Sequence, residues 1–456
     1  MIGKLNKHQI DYVFFHLKHH FNAEDFGEYV SFDEIGGDQG SKIYFPLSDK
    51  EFVLSEVLTV ENIETLFPLS QENKFFSIIN TSIVFHHDIL KSAFHLLSGY
   101  DEYSLEIYDS QGRFPYTESI QYKLDIIHKP LVNYYFEVVK KAVKTFSDLN
   151  NLKFFDRKMF SNFGFMLTHD VDRIKYYRIE KFNALIKTLL GIKKSRLPKR
   201  IILGRVTDFL KHFLLRDNDC DPYWNFEFLT DLEKKLHFHS AFYFLHKDIN
   251  HIDSYYSFND PDIKSLIKYL MDNDCEIGIH GSTNSALDSD LMKHHKEKLE
   301  KVTGRSVLGV RQHRLKYDVK KTISVHQKSG FKYDTTLGYA EHEGFRNSYC
   351  LPFRIFDHEQ NKMSSVWEYP LALMDSTLFD YRKLDFDQAI AVVKDLLNEV
   401  KRFNGFFVML WHNSYFDEVS HRGITKFYEE LLEFIAHLEP ENVLGKELME
   451  GKLERE

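Results

Sequence analysis

From residue 163 onward, four apolar runs each lead into a polar side chain capable of catalysis, and this pattern restricts the fold most. The runs cover residues 163–168, 275–279, 307–310 and 406–411. Strands that are apolar on both faces are typical of parallel sheets covered by helices. Because the carboxyl ends of strands in a parallel barrel meet at one rim, the polar side chains are expected to lie there together. The sequence therefore predicts an α/β barrel with a functional site at that rim.

Two segments between these runs have the period of amphipathic helices. Asp260 and Pro261 supply a cap and a first-turn proline, and apolar residues then recur on one face, namely Ile263, Leu266, Ile267 and Leu270. A second helix is predicted from about Asp385 to Phe403, with Gly405 just past its end. Both helices are expected to cover the outside of the barrel.

The chain has 456 residues, more than one hydrophobic core usually serves, so two domains are expected. We predict a smaller α/β domain of unassigned role at residues 1–160 and the barrel at 161–456. In the first domain, His86, His87 and Asp88 resemble a ligand cluster, but adjacent residues point in different directions and cannot easily share an ion. We interpret Asp88 as a helix cap.

The first run leads into two aspartates, Asp170 and Asp172. In an extended strand, residues two apart point to the same side, so one carboxylate could bind a cation while the other takes a proton. Two carboxylates this close repel each other without a positive partner, and a metal ion would supply that charge. The alternative is an exposed turn with two solvated aspartates.

The other three runs add imidazoles and a guanidinium. His280 is a candidate ligand or a structural histidine, and Arg311 could orient a carboxylate beside His313, although these two also fit a basic surface cluster. His412 follows an almost wholly apolar strand, which suits a general acid or base. No serine or cysteine stands in a recognisable nucleophile setting, so the set favours metal-activated water.

These motifs, taken together and in order, resemble the polysaccharide deacetylases of carbohydrate esterase family 4. The matching segments are residues 168–172, 276–282, 311–314, 333–337 and 410–413. Residues 112–115 also resemble an N-terminal extension found in one bacterial subgroup of these proteins. The resemblance implies a distorted (β/α) TIM-like barrel, a divalent metal ion, and hydrolysis of N-acetyl groups on a sugar or polysaccharide.

The resemblance also implies roles for single residues. Asp170 would be the base, His412 the acid and Arg311 the partner of Asp170; the metal ligands would be Asp172 and His280, and the substrate-binding residues Arg314, Trp411, Tyr333 and Asp334. The family's second motif normally has another histidine where this chain has Asn284. We predict that His313, expected at the same rim, replaces it as the third ligand. Zinc is the ion expected for two imidazoles and one carboxylate.

An insertion at about residues 173–216 is rich in Lys and Arg, with Lys193, Lys194, Lys199 and Arg200 near an apolar run at 201–203. It could lie on an anionic membrane surface, form a lid over an anionic glycan, or pack as a solvated helical hairpin.

Charge and hydropathy limit the partners. The formal net charge of −9 argues against nucleic acid. No apolar stretch has the length of a signal peptide or a membrane span, so we expect a cytoplasmic protein. An N-acetylated glycan or sugar intermediate is the expected partner. Two other functions stay open: a non-catalytic glycan-binding or scaffold protein on the same fold, which Asn284 motivates, and a hydrolase of another C–N amide.

Overall fold

The structure is a computed structural model, and it describes residues 3–21, 26–32, 40–156, 158–194, 197–215, 217–218, 220–247 and 253–453. Arg216, at the predicted end of the basic insertion, lies outside the described residues, as do both chain termini.

Short strands and five α-helices are found in the described part of the N-terminal region. They are α1 (Lys7–Phe21), β1 (Val30–Ser31), β2 (Ile43–Tyr44), β3 (Leu58–Val60), β4 (Ile63–Thr65), β5 (Phe76–Ile79), β6 (Ser82–Phe85), α2 (Ile89–Leu97), α3 (Tyr100–Leu105), α4 (Ile120–Lys123) and α5 (Leu131–Leu149). One sheet has the order β1-β2-β6-β5. The Asp88 carboxylate accepts a hydrogen bond from the backbone N–H of Lys91 at the start of α2, so the predicted cap is confirmed.

Parallel strands and helices follow in alternation. The strands are β7 (Gly164–Val171), β8 (Ser240–Leu245), β9 (Glu276–Gly281), β10 (Gly309–Gln312), β11 (Tyr333–Asp334), β12 (Phe353–Asp357), β13 (Lys362–Glu368), β14 (Leu371–Met374), β15 (Phe406–Leu410) and β16 (Glu441–Asn442). The helices are α6 (Ile179–Leu189), α7 (Lys199–Leu215), α8 (Phe226–Lys235), α9 (Pro261–Asp272), α10 (Ser289–Thr303), α11 (Thr322–Lys328), α12 (Phe386–Arg402), α13 (Ile424–His437) and α14 (Gly445–Leu448).

The large sheet closes into a distorted barrel. Its order is β12-β13-β11-β10-β9-β8-β7-β15-β14, and its pairs are parallel apart from β12 with β13. Strands β13 and β14 are separated in the chain only by Tyr369 and Pro370, so one bent segment pairs with β11 on one side and β15 on the other. Proline cannot donate to the ladder, which fits its position at the bend. The predicted barrel fold is therefore confirmed.

The two predicted helices are also confirmed. Helix α9 begins at Pro261 after Asp260, and α12 begins after Asp385, which forms a capping box with Gln388. Helix α12 buries one face on the barrel, with Ala389, Val393, Leu396, Leu397 and Val400. Within the described ranges, the helices are all too short or too polar to cross a membrane.

The N-terminal region packs against the barrel through aromatic side chains. Tyr12 of α1 meets Phe356 of β12 with ring centroids 5.0 Å apart, and Phe15 meets Trp367 of β13 at 5.8 Å. Edge contacts of this kind add to the apolar area that the two parts bury together. The predicted boundary near residue 160 therefore lies between two parts of one continuous apolar cluster.

Candidate active site

The carboxyl ends of β7, β9, β10 and β15 bring the predicted residues to one rim of the barrel. Strand β9 pairs with β10 so that His280 lies beside Arg311. A cavity of about 300 Å³ opens at this rim, and its lining includes Asp170, Asp172, His313 and His412. Asp170 and His412, far apart in the chain, thus share one cavity, because parallel strands all end on the same side.

Asp172, His280 and His313 form the cluster that could hold a metal ion. One ligand atom from each lies within 4.8 Å of the others. Nε2 of His280 is 3.3 Å from Oδ1 of Asp172, and Nε2 of His313 is 3.7 Å from Oδ2. The Asp172 Oδ1 and His280 Nε2 atoms are buried and make no hydrogen bond with any described residue. Buried polar atoms normally have a partner, so these atoms fit metal ligands.

The Nδ1 atoms of His280 and His313, on the other side of each ring, already have hydrogen-bond partners. Nδ1 of His280 lies 3.0 Å from the carbonyl oxygen of Arg311, and Nδ1 of His313 lies 3.1 Å from Oδ1 of Asp253. Such bonds fix each ring and direct its Nε2 atom toward the cluster, as in known metal sites. Asp253 is itself held by the hydroxyl and backbone N–H of Thr283 at 2.8 and 2.7 Å.

The charges of this cluster favour a cation. Burial alone would lower the pKa of His313, but the carboxylates of Asp172 and Asp253 raise that pKa to about 9. Burial would likewise raise the pKa of Asp172, yet His313 and His280 hold it well below its usual range. Positive charge between these side chains is therefore stabilised.

Asp170 is a buried carboxylate with a fixed orientation. Its Oδ1 atom accepts a hydrogen bond from Nη1 of Arg311 at 3.1 Å, and its Oδ2 atom is 3.6 Å from Nε2 of His280. Arg311 is fully buried and is itself held by Thr335 and Thr168 at 2.8–3.0 Å. A guanidinium locked on several sides restricts the carboxylate to one position.

His412 forms a pair with Asp375. Its Nδ1 atom is 2.7 Å from Oδ1 of Asp375, and its backbone N–H donates to Oδ2 at 2.6 Å. Burial would lower the pKa of His412, but the charge and hydrogen bond of Asp375, with Asp172 and Asp170 nearby, raise that pKa to about 10. This raised pKa favours the protonated form of His412, which lies on the cavity wall. Asp375 was not predicted from the sequence, although it follows β14 directly and the strand-end rule could have found it.

Three of the predicted substrate-binding residues are not on the cavity. Trp411, Tyr333 and Asp334 are each no more than 1% exposed and lie in the core. Trp411 packs on Tyr428, because neighbouring residues in a strand point to opposite faces and His412 takes the cavity side. Tyr333 stacks on Tyr369 at 4.5 Å, inside the barrel. The prediction that these three contact substrate is corrected on this ground.

Arg314 does line the cavity, and the N-terminal region adds a second arginine there. Arg314 has a positive φ of 62°, and its guanidinium donates to Gln111 at 2.5 Å. Arg113 also lines the cavity and is held by Asp109 at 2.8 Å and by Glu341. Residues 112–115 were noted only for their family resemblance, and the place of Arg113 at the cavity was not predicted, because nothing local in residues 109–113 predicts a contact with the barrel.

Comparison with known protein families gives a match in the N-terminal region. Residues 2–147 match a family described as a family of unknown function, DUF7033. Comparison with curated protein sequences gave no match.

Among solved structures, a Mycobacterium smegmatis protein assigned as a polysaccharide deacetylase is 16% identical, with a TM-score of 0.39, over 62% of this chain and 86% of that one. The PuuE allantoinase is 12% identical, with a TM-score of 0.37, over 61% and 90%. A Bacillus anthracis pseudoenzyme of family CE4 is 12% identical, with a TM-score of 0.26, over 62% and 68%.

Proposed function

We propose that the protein is a metal-dependent hydrolase that removes N-acetyl groups from a sugar or polysaccharide. One observation carries the proposal. A fixed carboxylate, two residues of the metal cluster and a histidine with a raised pKa line one cavity of about 300 Å³. Nε2 of His280, the third residue of the cluster, is 3.3 Å from Oδ1 of Asp172. Amide hydrolysis by activated water needs these three parts: a base, a cation and an acid.

Asp172, His280 and His313 would hold the metal ion. Two imidazoles and one carboxylate with positions left open are the donor set of catalytic zinc sites. When bound, the ion would act as a Lewis acid and lower the pKa of a water molecule. Asn284 is exposed, precedes a short turn and offers no imidazole, so His313 takes the role of the third ligand in this proposal.

The remaining steps belong to side chains of this chain. Asp170, held by Arg311, would accept the proton of the attacking water. His412, held by Asp375 on the cavity wall, would donate a proton to the departing sugar amine. Residues that fill such roles typically contribute about 10²–10⁴-fold to the rate.

Acetate release from a panel of N-acetylated saccharides tests the proposal. Asp170→Asn and His412→Ala are expected to lower turnover by at least about 100-fold while the protein stays folded. His437→Ala, on the exposed end of α13, is the matched control and should leave the rate unchanged. Unchanged turnover in either site variant would refute the assigned role. Release of another acyl or amide group in place of acetate would identify a hydrolase of a different C–N bond.

A further inference from the structure

The basic insertion folds into two helices that project from the rim of the barrel. We call residues 179–194 and 197–215 the basic hairpin. Helix α6 has no buried residue among those described, and it pairs with α7 by stacking Phe182 on Phe209, with centroids 4.2 Å apart. Apart from this pairing face, the hairpin has few neighbours to cover it.

Helix α7 is apolar on two faces. Ile202, Val206 and Phe209 form its buried face. On the adjacent, solvent-facing side of the helix, Leu203, Leu210 and Leu214 are 58%, 42% and 71% exposed. These positions are spaced i, i+7 and i+11, so they form one stripe along the helix. A helix that is apolar on two sides requires a second apolar environment in addition to its protein core.

The turn of the hairpin continues this exposed apolar surface. Leu190 and Ile192 are 69% and 72% exposed, and Phe213 and Leu215 at the far end of α7 are 63% and 73% exposed. Single exposed leucines are common on protein surfaces, but here several large apolar side chains with this much exposure lie on one pair of helices.

Cationic side chains flank the stripe. The exposed ones are Lys187, Lys193, Lys194, Lys199, Arg200 and Lys211. Within the described part of the hairpin, the acidic residues are Glu180 and Asp208 only. This charge disfavours a second copy of the hairpin, since like charges would face each other. An anionic glycan would form ion pairs with the lysines, but it would leave the leucines without an apolar partner.

The hairpin is anchored beside the active site. Arg173 follows Asp172 directly, and its carbonyl oxygen accepts a hydrogen bond from Asn413 at 2.8 Å. Arg205 of α7 forms a buried ion pair with Asp417 in the loop after His412. The exposed stripe is therefore held in a fixed relation to the rim at which the cavity opens.

We propose that the basic hairpin docks on an anionic lipid bilayer, with its leucine stripe among the headgroups and its lysines on the lipid phosphates. Interfacial helices combine these two features. Each basic residue near an anionic surface adds to the attraction, and burial of the apolar stripe adds the rest. Docking would place the cavity mouth at the membrane surface, where a lipid-bearing substrate would be within reach. That last consequence rests on the proposed function, whereas docking itself does not.

Flotation of the full chain with phosphatidylcholine vesicles, with and without phosphatidylglycerol, tests the docking. The protein is expected to bind only the vesicles with phosphatidylglycerol. Leu203→Glu/Leu210→Glu/Leu214→Glu and Lys193→Glu/Lys194→Glu should each bind at least about tenfold more weakly. Ile78→Glu, at a position 51% exposed in the N-terminal region, is the matched control and should bind as the parent does.

Each other outcome overturns the proposal. Equal binding to both vesicle types, or undiminished binding by the leucine variant, would remove its basis. A dimer that the leucine variant loses, in place of vesicle binding, would identify a second copy as the occupant. Binding to dextran sulfate but not to vesicles would identify a glycan. Metal content and the unfolding temperature, measured on each variant, show whether the fold is kept, so failed docking and a failed active site are told apart.

Discussion

Two clusters of two histidines and one carboxylate occur in the described part of the chain, and their difference shows what makes a metal site. Asp172, His280 and His313 lie at the barrel rim, and His128, His342 and Glu343 lie between the N-terminal region and the barrel. In both clusters the ligand atoms are within 4.8 Å of one another. Spacing alone therefore does not distinguish them.

The second cluster already contains a cation. Nη1 of Arg382 donates to Oε1 of Glu343 at 2.5 Å and to Nε2 of His342 at 2.7 Å. Burial would raise the pKa of Glu343, but His128, His342 and Arg382 lower it to about 2. Oε2 of Glu343 has no hydrogen bond, yet the charge of the carboxylate is balanced. We interpret this cluster as an ion-pair network and the rim cluster as the metal site.

The largest expected effect separates the clusters by activity. Asp172→Asn and His280→Ala should each lower acetate release by more than about 100-fold, since loss of a partner that only orients a ligand already costs about 10–100-fold. His342→Ala should leave turnover within about twofold, because in our interpretation it touches no reacting group. If variants of both clusters lost acetate release equally, the interpretation of only the rim cluster as the metal site would be wrong.

The strand-end residues could be predicted from sequence because their position follows from local patterns. An apolar run predicts a buried strand, and parallel strands share a rim, so Asp170, His280, Arg311 and His412 were expected near one another. The direction of a side chain was harder to predict. Trp411 occupies a motif position beside His412, but strand alternation turns it into the core.

Residues outside regular elements could not be predicted. Asp253 belongs to no helix or strand, and it reaches His313 across 60 positions in the chain. Arg113 reaches Glu341 across 228 positions. Contacts of this kind depend on how the N-terminal region packs on the barrel, and no local periodicity encodes that packing. The bend at Pro370, which closes the barrel, could not be predicted from local periodicity either.

The second prediction concerns metal content. His313→Ala should lose stoichiometric metal, because two ligands would remain, whereas His128→Ala should keep it. Asp253→Asn should weaken metal affinity by about 10–100-fold, as expected when the partner that orients a ligating histidine is changed. Metal analysis after dialysis measures all three variants. Stoichiometric metal retained in His313→Ala would count against its role as the third ligand.

A third prediction tests whether Arg382 takes the place of a metal ion in the second cluster. Arg382→Gln leaves the Glu343 carboxylate buried without its main cation, so the free energy of unfolding should fall. Since the Arg382 side chain is 28% exposed, we expect about 1–3 kcal/mol, less than for a fully buried pair. Zinc should restore part of this loss in Arg382→Gln and should add no stability through this cluster in the parent. Denaturant unfolding with and without zinc measures the difference. If zinc does not stabilise Arg382→Gln, ligand spacing and unbalanced charge together are not sufficient to make a metal site.

The smallest expected effect is a shift in the pH profile, and it tests the acid on the other side of the cavity. Asp375 raises the pKa of His412 in the folded protein, so the imidazole stays protonated, and able to donate, until the pH rises through that pKa. Asp375→Asn keeps an oxygen near the ring but removes the charge, which lowers the pKa of His412. The alkaline limb of the rate profile should therefore move to lower pH, by about one to three units. The acidic limb, set by the base and the metal ligands, should stay in place. A shift of the acidic limb alone would mean that Asp375 acts through the metal cluster and not through His412.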